Sequence, residues 1–166
     1  MTAHALVRPV TPADIPAISA LHARVFGPGR FARTAYRVRE GAPLASRFCL
    51  ASFLGGELIA ALRFTEVTIG GKGGALLLGP LAVEPRVAGQ GYGKRLVADG
   101  LGNAKSAGVR LVVLVGDEPY YGRFGFRPVP PGRITLPGPV DPRRLLAAEL
   151  TPGALAGFEG MVAAER

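Results

Sequence analysis

The alternation of apolar and polar positions divides the chain into short elements. Ala5 to Val10 is a brief apolar run closed by Pro9 and Pro12, which predicts a first strand. Thr11-Pro12-Ala13-Asp14 then reads as a helix start: a hydroxyl that can cap, a proline suited to the first turn and an acid facing the positive helix end. Ile15, Ile18, Leu21, Val25 and Phe26 recur at helical spacing, so an amphipathic helix is expected over 12–26, ended by Gly27-Pro28-Gly29. A second, shorter helix over 30–40 sets Arg30, Arg33, Arg37 and Arg39 among Phe31, Tyr36 and Val38. The simplest account of it is a solvated basic face; the alternative is a wall of a substrate cleft or an anion-docking surface.

Downstream the hydrophobic pattern turns to strands. Phe48–Leu54 and Leu58–Ile69 are joined by Gly55-Gly56 as a hairpin, and Gly70 to Gly74 forms a second turn before a strand over Ala75–Val83. Pro80 inside that strand lacks a ladder donor and predicts a bulge or an edge. A helix over 89–107 follows a glycine-rich entry, with Leu96, Val97 and Leu101 toward the core and Gly108 at its end. Val109–Val115 is apolar throughout, the mark of a strand buried inside a sheet. Asp117 can cap a short helix with Pro119 in its first turn, running to Phe124. Beyond it, Ala147 to Leu150 reads as a last strand, and Phe158 to Ala163 as a segment that pairs with a neighbouring strand or a second subunit. Hairpins come first and a β-α-β unit follows. The expected fold class is therefore α/β (α+β), a central mixed β-sheet with helices on both faces. With 166 residues, the chain reads as a single domain over 1–166, with a ligand-binding core at about 76–128 and a strand-rich tail over 129–166.

Composition narrows the function classes. The 48% apolar content excludes disorder as the main state. The lone cysteine, Cys49, excludes an intramolecular disulfide and any cysteine-based metal site, and its apolar setting reads as packing. No metal is expected. Twenty basic against twelve acidic residues give +8, a balance that draws anions such as nucleotides and phosphorylated cofactors. The longest apolar stretch, Ala75 to Val83, is interrupted by Gly79-Pro80 and is too short to span a bilayer, and the start of the chain shows no secretory run. A cytoplasmic protein without a membrane partner is expected. A nucleic-acid-binding role for Arg30, Arg33, Arg37, Arg39 and Arg47 competes with an enzyme, but no recognition-helix motif and few stacking aromatics accompany them, so nucleic acid is an unlikely partner.

The informative stretch runs from Leu81 to Leu96. A strand enters a loop holding Gly89, Gly91 and Gly93, and a helix follows at once, with Lys94 and Arg95 beside its start. Glycine lets the backbone approach a ligand closely, and the free amides at a helix start favour an anion. A Walker A loop fails at Ala88 and Arg95, and a dinucleotide fingerprint fails at Lys94. One strand later comes Tyr120-Tyr121-Gly122-Arg123-Phe124-Gly125-Phe126.

Ala88-Gly89-Gln90-Gly91-Tyr92-Gly93 resembles the Gln/Arg-x-x-Gly-x-Gly/Ala pyrophosphate loop of the GCN5-related N-acetyltransferases (GNAT). Ala88 stands where Gln or Arg is usual, with Arg86 as a partial substitute. The second segment resembles that family's Tyr-x-x-x-Gly-Phe element. The run from Leu78 to Pro128 is similar to a YhbS-like bacterial subgroup of the family. The resemblance implies acetyl-CoA as cosubstrate and acetyl transfer to a primary amine of a small molecule or peptide. It implies cofactor contacts from Leu81, Ala82, Val83, Gly89, Gln90, Gly91, Tyr92, Gly93, Lys94, Tyr121 and Phe124, with two strands splaying at Leu81–Val83 and Val112–Val115. Tyr121 becomes the candidate general acid and Glu66 the candidate base, with Asp117 and Glu118 weighed beside it; Asp117 reads first as a helix cap. His4 and His22 read as surface or packing residues. A non-catalytic acyl-CoA sensor is the runner-up, and a homodimer is left open.

Overall fold

The computed structural model describes residues 4–27, 34–40 and 42–165. Among the described residues nine strands form the sheet: β1 Leu6–Pro9, β2 Leu50–Leu54, β3 Glu57–Ile69, β4 Lys72–Val83, β5 Leu111–Val115, β6 Arg127–Pro128, β7 Ile134–Thr135, β8 Leu145–Glu149 and β9 Gly160–Ala164. The helices are α1 Ile15–Phe26, α2 Thr34–Arg39, α3 Tyr92–Ser106 and α4 Glu118–Tyr121. The main path runs β1-β2-β3-β4-β5-β8-β6, antiparallel except for the parallel pair β4–β5. The expected mixed sheet is thus present, and α3 is the crossover that a parallel pair needs.

Local chemistry sets the corners. The two glycine turns are two-residue turns with both positions at positive φ (Gly55 59°, Gly56 81°; Gly70 59°, Gly71 84°), the geometry that matches strand twist in a tight hairpin. Lys72 to Gly74, expected in the second turn, already belong to β4. At the start of α1, the Asp14 carboxylate accepts from the Thr11 backbone N–H at 2.8 Å and from both Arg8 terminal nitrogens at 2.7 and 2.8 Å, tying helix to β1.

The two sheet faces carry separate cores. Leu62, Phe64, Leu76, Leu78, Val112 and Leu114 pack beneath α3, which contributes Leu96, Val97 and Ala104. Gly100 lets α3 come down onto Phe64: a Cβ there would lie 2.5 Å from the ring. The opposite face holds Leu21 of α1 against Ala51, Ala61 and Ala82, and Val38 of α2 in a cluster with Val67, Leu77, Val113 and Phe158. Cys49 is 2% exposed, its sulfur 3.4 Å from the backbone N and O of Phe64.

The tail is part of the sheet. β8 lies antiparallel to β5 from Leu111–Glu149 to Val115–Leu145. β9 pairs with β3 of the same chain through Val67–Ala164 to Ile69–Val162, so this segment takes up its own sheet and not a second subunit's. No helix among the described residues is long and apolar enough to cross a membrane.

Candidate active site

The sheet opens where the parallel pair of its main path ends. β4 pairs with β5 only at Ala75–Leu111, Leu76–Val112 and Leu77–Val113, although β4 continues to Val83 and β5 to Val115. The strands therefore separate after Val113 on β5, one residue beyond the expected Val112, and after Leu77 on β4, before the expected Leu81. The cause is visible opposite, on β3: Leu62 faces Leu81 but Phe64 faces Leu78, so three steps of β4 match two of β3. The extra residue sits at Gly79-Pro80, the bulge that the proline predicts.

The register also decides which backbone groups face the gap. Glu84 N–H donates to the Ile59 carbonyl at 2.8 Å, which makes Ala60–Val83 a non-hydrogen-bonded pair. The N–H and C=O of Val83, and of Leu81 two residues earlier, accordingly point away from β3 and into the gap. Ala82 between them turns its backbone to Ala61 and its side chain, fully buried, into the core under α1. A cofactor contact from Ala82 has no geometry to support it, whereas Leu81 and Val83 present the free edge.

Beside this edge lies the start of α3. Gly91 is its N-cap at φ 91° and ψ 1°, with no side chain capping the end, and the first helical bond is Arg95 N–H to the Gly91 carbonyl at 3.1 Å. The amides of Tyr92, Gly93 and Lys94 precede that bond and have no intrahelical acceptor. A Cβ at Gly89 or Gly91 would meet nothing within 4 Å, so the loop leaves open space above it. Gln90 and Lys94 are exposed, while the Tyr92 ring is buried in the core and offers only its backbone. At Gly93 a Cβ would come within 3.1 Å of Val83, 3.3 Å of the Tyr120 hydroxyl and 3.4 Å of Leu81. The helix start, the gap edge and α4 are thereby brought together. The expected substitute for the missing Gln or Arg, Arg86, is held by Glu57 at 2.6 Å.

A cleft of about 990 Å³ opens from the gap toward α1 and α2. Leu78 to Leu81 and Leu114 to Asp117 line it from the two strands, with Tyr121 between them and Pro139 to Asp141 and Arg144 of the tail closing the far side. The Tyr121 ring lies on Gly116, edge-on to Tyr120 at 4.8 Å and to Phe126 at 5.9 Å. Burial, reinforced by Tyr120 and Asp117, pushes its phenol up to about 12. Tyr120 is also raised by burial but sits on the α3 side, 6.1 Å from the half-buried Phe124 ring. Asp117 starts α4 and pairs with Arg144 at 3.4 Å.

Glu66 is not in this cleft. Arg63 lines it, and strand alternation turns Glu66, three residues on, to the opposite face with Phe64. There its carboxylate meets Arg47 at 3.3 Å. The expected base is therefore separated from the other candidates. The basic helix also reads differently in three dimensions. Arg30 and Arg33 lie outside the described residues, and Arg37 is exposed, but Tyr36, Arg39 and Glu40 line the cleft. His22 stands in the same wall. Tyr36 and Arg39 thus match the alternative reading of this helix as a cleft wall, whereas His22 and the tail's closing loop escape a sequence reading because nothing in their spacing reports a shared cavity.

Comparison with known proteins places this geometry. Residues 6–129 match the family model described as an acetyltransferase (GNAT) domain. The chain is 30% identical over 158 residues to an Escherichia coli K12 protein named uncharacterized N-acetyltransferase YhbS, covering 95% of this chain and 94% of that one. It is 30% identical to E. coli K12 YjhQ over 132 residues, 77% of this chain and 73% of that one. Among solved structures, the E. coli YhbS GNAT family N-acetyltransferase in complex with CoA superposes with a TM-score of 0.83 at 29% identity, over 99% of this chain and 92% of that one. A GNAT family acetyltransferase from Brucella melitensis in complex with acetyl-CoA gives 0.64 at 28% identity, over 88% and 96%.

Proposed function

The chain belongs to the GNAT acetyltransferase family, and on that premise we propose that it transfers an acetyl group from acetyl-CoA to a primary amine of a small molecule or peptide. The observation that carries the reading is the junction of a splayed parallel strand pair with an uncapped helix start. The residues present fit the cosubstrate. An anion is stabilised by the first-turn amides and positive end of α3, so the Gly89–Lys94 backbone receives the pyrophosphate, with Lys94 adding charge. The gap-facing edge of Leu81 and Val83 offers the pantetheine amides the pairing of a missing strand. Acetyl-CoA supplies a thioester carbonyl: the amine nitrogen forms the new bond to carbon, the carbon–sulfur bond breaks, and the amine's proton is carried off.

The chain's own groups divide that work. The Val83 N–H points into the gap and is assigned to the negative charge that develops on the acetyl oxygen. Tyr121, between the two strand ends, is assigned to the proton that the sulfur takes. Its raised pKa keeps the phenol protonated at neutral pH, and the same burial disfavours a thiolate, so donor and acceptor rise together. His22, Glu40, Asp117 and Asp141 are the groups of the cleft wall able to accept the amine's proton. Glu66 has no role in this scheme.

The test is a pair of measurements on the purified protein: the thermal shift produced by acetyl-CoA, and acetyl-CoA-dependent thiol release across a panel of amines. An upward shift with amine-dependent release supports the reading. A shift without release from any amine turns it into the acyl-CoA sensor, and no shift at all removes it.

A further inference from the structure

The β3 wall of the cleft, across from the Gly79-Pro80 bulge, holds a cation with no ion-pair partner among the described residues. Arg63 of β3 lines the cleft half-buried, and its Nη2 donates to the Pro43 carbonyl at 3.0 Å. Its Nε is buried with no hydrogen-bond partner. Among the described residues no carboxylate lies within ion-pair distance of it: of the cleft's three, Asp117 is paired with Arg144, Asp141 with Arg143, and Glu40 makes no ion pair with it. Burial holds the Arg63 pKa below the ordinary arginine value, the expected cost of a desolvated guanidinium. A planar donor fork in that state is satisfied by a carboxylate better than by any neutral group. A second guanidinium stands at the mouth of the gap: Arg39 Nη2 lies 2.9 Å from where a Cβ on Gly79 would be.

Arg63 is also shared with a smaller pocket. About 110 Å³ opens beneath α1, bounded by Val10, Ile15, Ile18, Leu44 and Ala61. That is room for a short arm and not for a large ring. Its walls are mostly apolar, so a charged substituent is excluded and a short hydrocarbon arm is favoured.

We propose that the acceptor is an amine that also carries a carboxylate and a short aliphatic arm, a free amino acid of about the size of leucine. Its carboxylate seats on Arg63, its arm enters the pocket beneath α1, and its amine is left facing the strand gap. The amine's role rests on the acetyl-transfer reading above; the carboxylate subsite does not.

The test compares leucine with leucinamide, which replaces the carboxylate by a neutral amide and also lowers the pKa of the amine, so that kcat/KM is expressed per neutral amine, in acetyl-CoA-dependent thiol release by the wild type, Arg63→Gln and Arg63→Met. The wild type should favour leucine by about tenfold or more in kcat/KM, the scale of one charged hydrogen-bonded contact. In both variants the ratio should fall toward one while the thermal shift with acetyl-CoA stays unchanged. Calorimetric binding of N-acetylleucine and its amide reads the same subsite without turnover, and Arg63→Met keeps the stem's packing where Arg63→Gln fails to fold. Equal use or equal binding of acid and amide by the wild type, no binding of either, or a preference that survives in the variants overturns the inference. Preferential binding of N-acetylleucine by a protein with no acetyl-CoA shift would sink the acetyl-transfer reading and leave the Arg63 subsite standing. A wild type that prefers a leucine-terminated peptide to leucine overturns the free amino acid as the acceptor.

Discussion

Replacing Tyr121 by phenylalanine removes one hydroxyl and little else. The ring rests on Gly116, where a Cβ would come within 2.8 Å of it, and makes edge contacts to Tyr120 and Phe126 at 4.8 and 5.9 Å; phenylalanine keeps all three. Stability should therefore change by less than about 0.5 kcal/mol, the ordinary range for a change that opens no cavity. Alanine empties the site, and for a ring that is only partly buried the cost should reach roughly 2–3 kcal/mol, below the 3–5 typical of fully buried aromatics. For activity the order reverses. General acid catalysis contributes about 10²–10⁴-fold, so Tyr121→Phe should lower kcat by that factor with the acetyl-CoA affinity unchanged. The pH profile carries a second signature. A phenol at the usual value near 10 would begin to lose its proton within the assay range. Burial pushes Tyr121 up to about 12, toward the protonated form. The required protonated form thus persists, and the wild-type rate should show no alkaline fall due to Tyr121 below about pH 11. Steady-state thiol release from pH 6 to 10.5, with acetyl-CoA saturating, measures both effects. A Tyr121→Phe enzyme within threefold of wild type would refute the assignment, whereas an alkaline limb near pH 9.5 that the phenylalanine variant abolishes would keep Tyr121 as the acid and refute its raised pKa.

Other outcomes follow from single contacts. Gly91→Val places a branched side chain at φ 91°, so the strain should cost about 1–3 kcal/mol, while the open space around that Cβ lets the fold persist; the thermal shift with acetyl-CoA should vanish, and its survival would displace the pyrophosphate from this loop. Gly100→Ala drives a Cβ to 2.5 Å from Phe64, which is fully buried, and overpacking of about 1–3 kcal/mol should outweigh the gain of about 1 kcal/mol in helix propensity; an unchanged or higher Tm would contradict this. Asp14→Asn tests a pH dependence. The Arg8 guanidinium and the Thr11 amide hold the Asp14 carboxyl well below the usual carboxylate range, so its stabilisation is present above the unfolded value near 3.9 and fades as pH falls below it. The Tm gap between wild type and Asp14→Asn should be widest near neutrality and narrow steadily below about pH 4; a constant gap would mean the ion pair is not its source.

What the sequence determines here is local. Glycine pairs at 55–56 and 70–71 dictate hairpins because their turns require positive φ, and a strand-glycine-helix run at Leu81–Leu96 dictates an open helix start, whose first amides are left without an intrahelical acceptor. Pro80 announces a bulge because proline lacks the donor that its place in a ladder needs. Two such segments, in order, were enough to indicate the family. What only the tertiary structure decides is which residues share a space. Ala82 lies between two neighbours whose backbone faces the strand gap and yet faces the core, because strand alternation and register, not proximity in sequence, set direction. Glu66 lies on a strand of the cleft but on its other face for the same reason. Arg39 and Arg63, distant in sequence and unremarkable in spacing, reach one cleft because α2 and β3 are brought together by the sheet. The tail, with no motif of its own, supplies β8 against β5 and closes the cleft with Pro139–Arg144, since a buried parallel strand needs a neighbour on each edge and any chain that satisfies its backbone groups will serve.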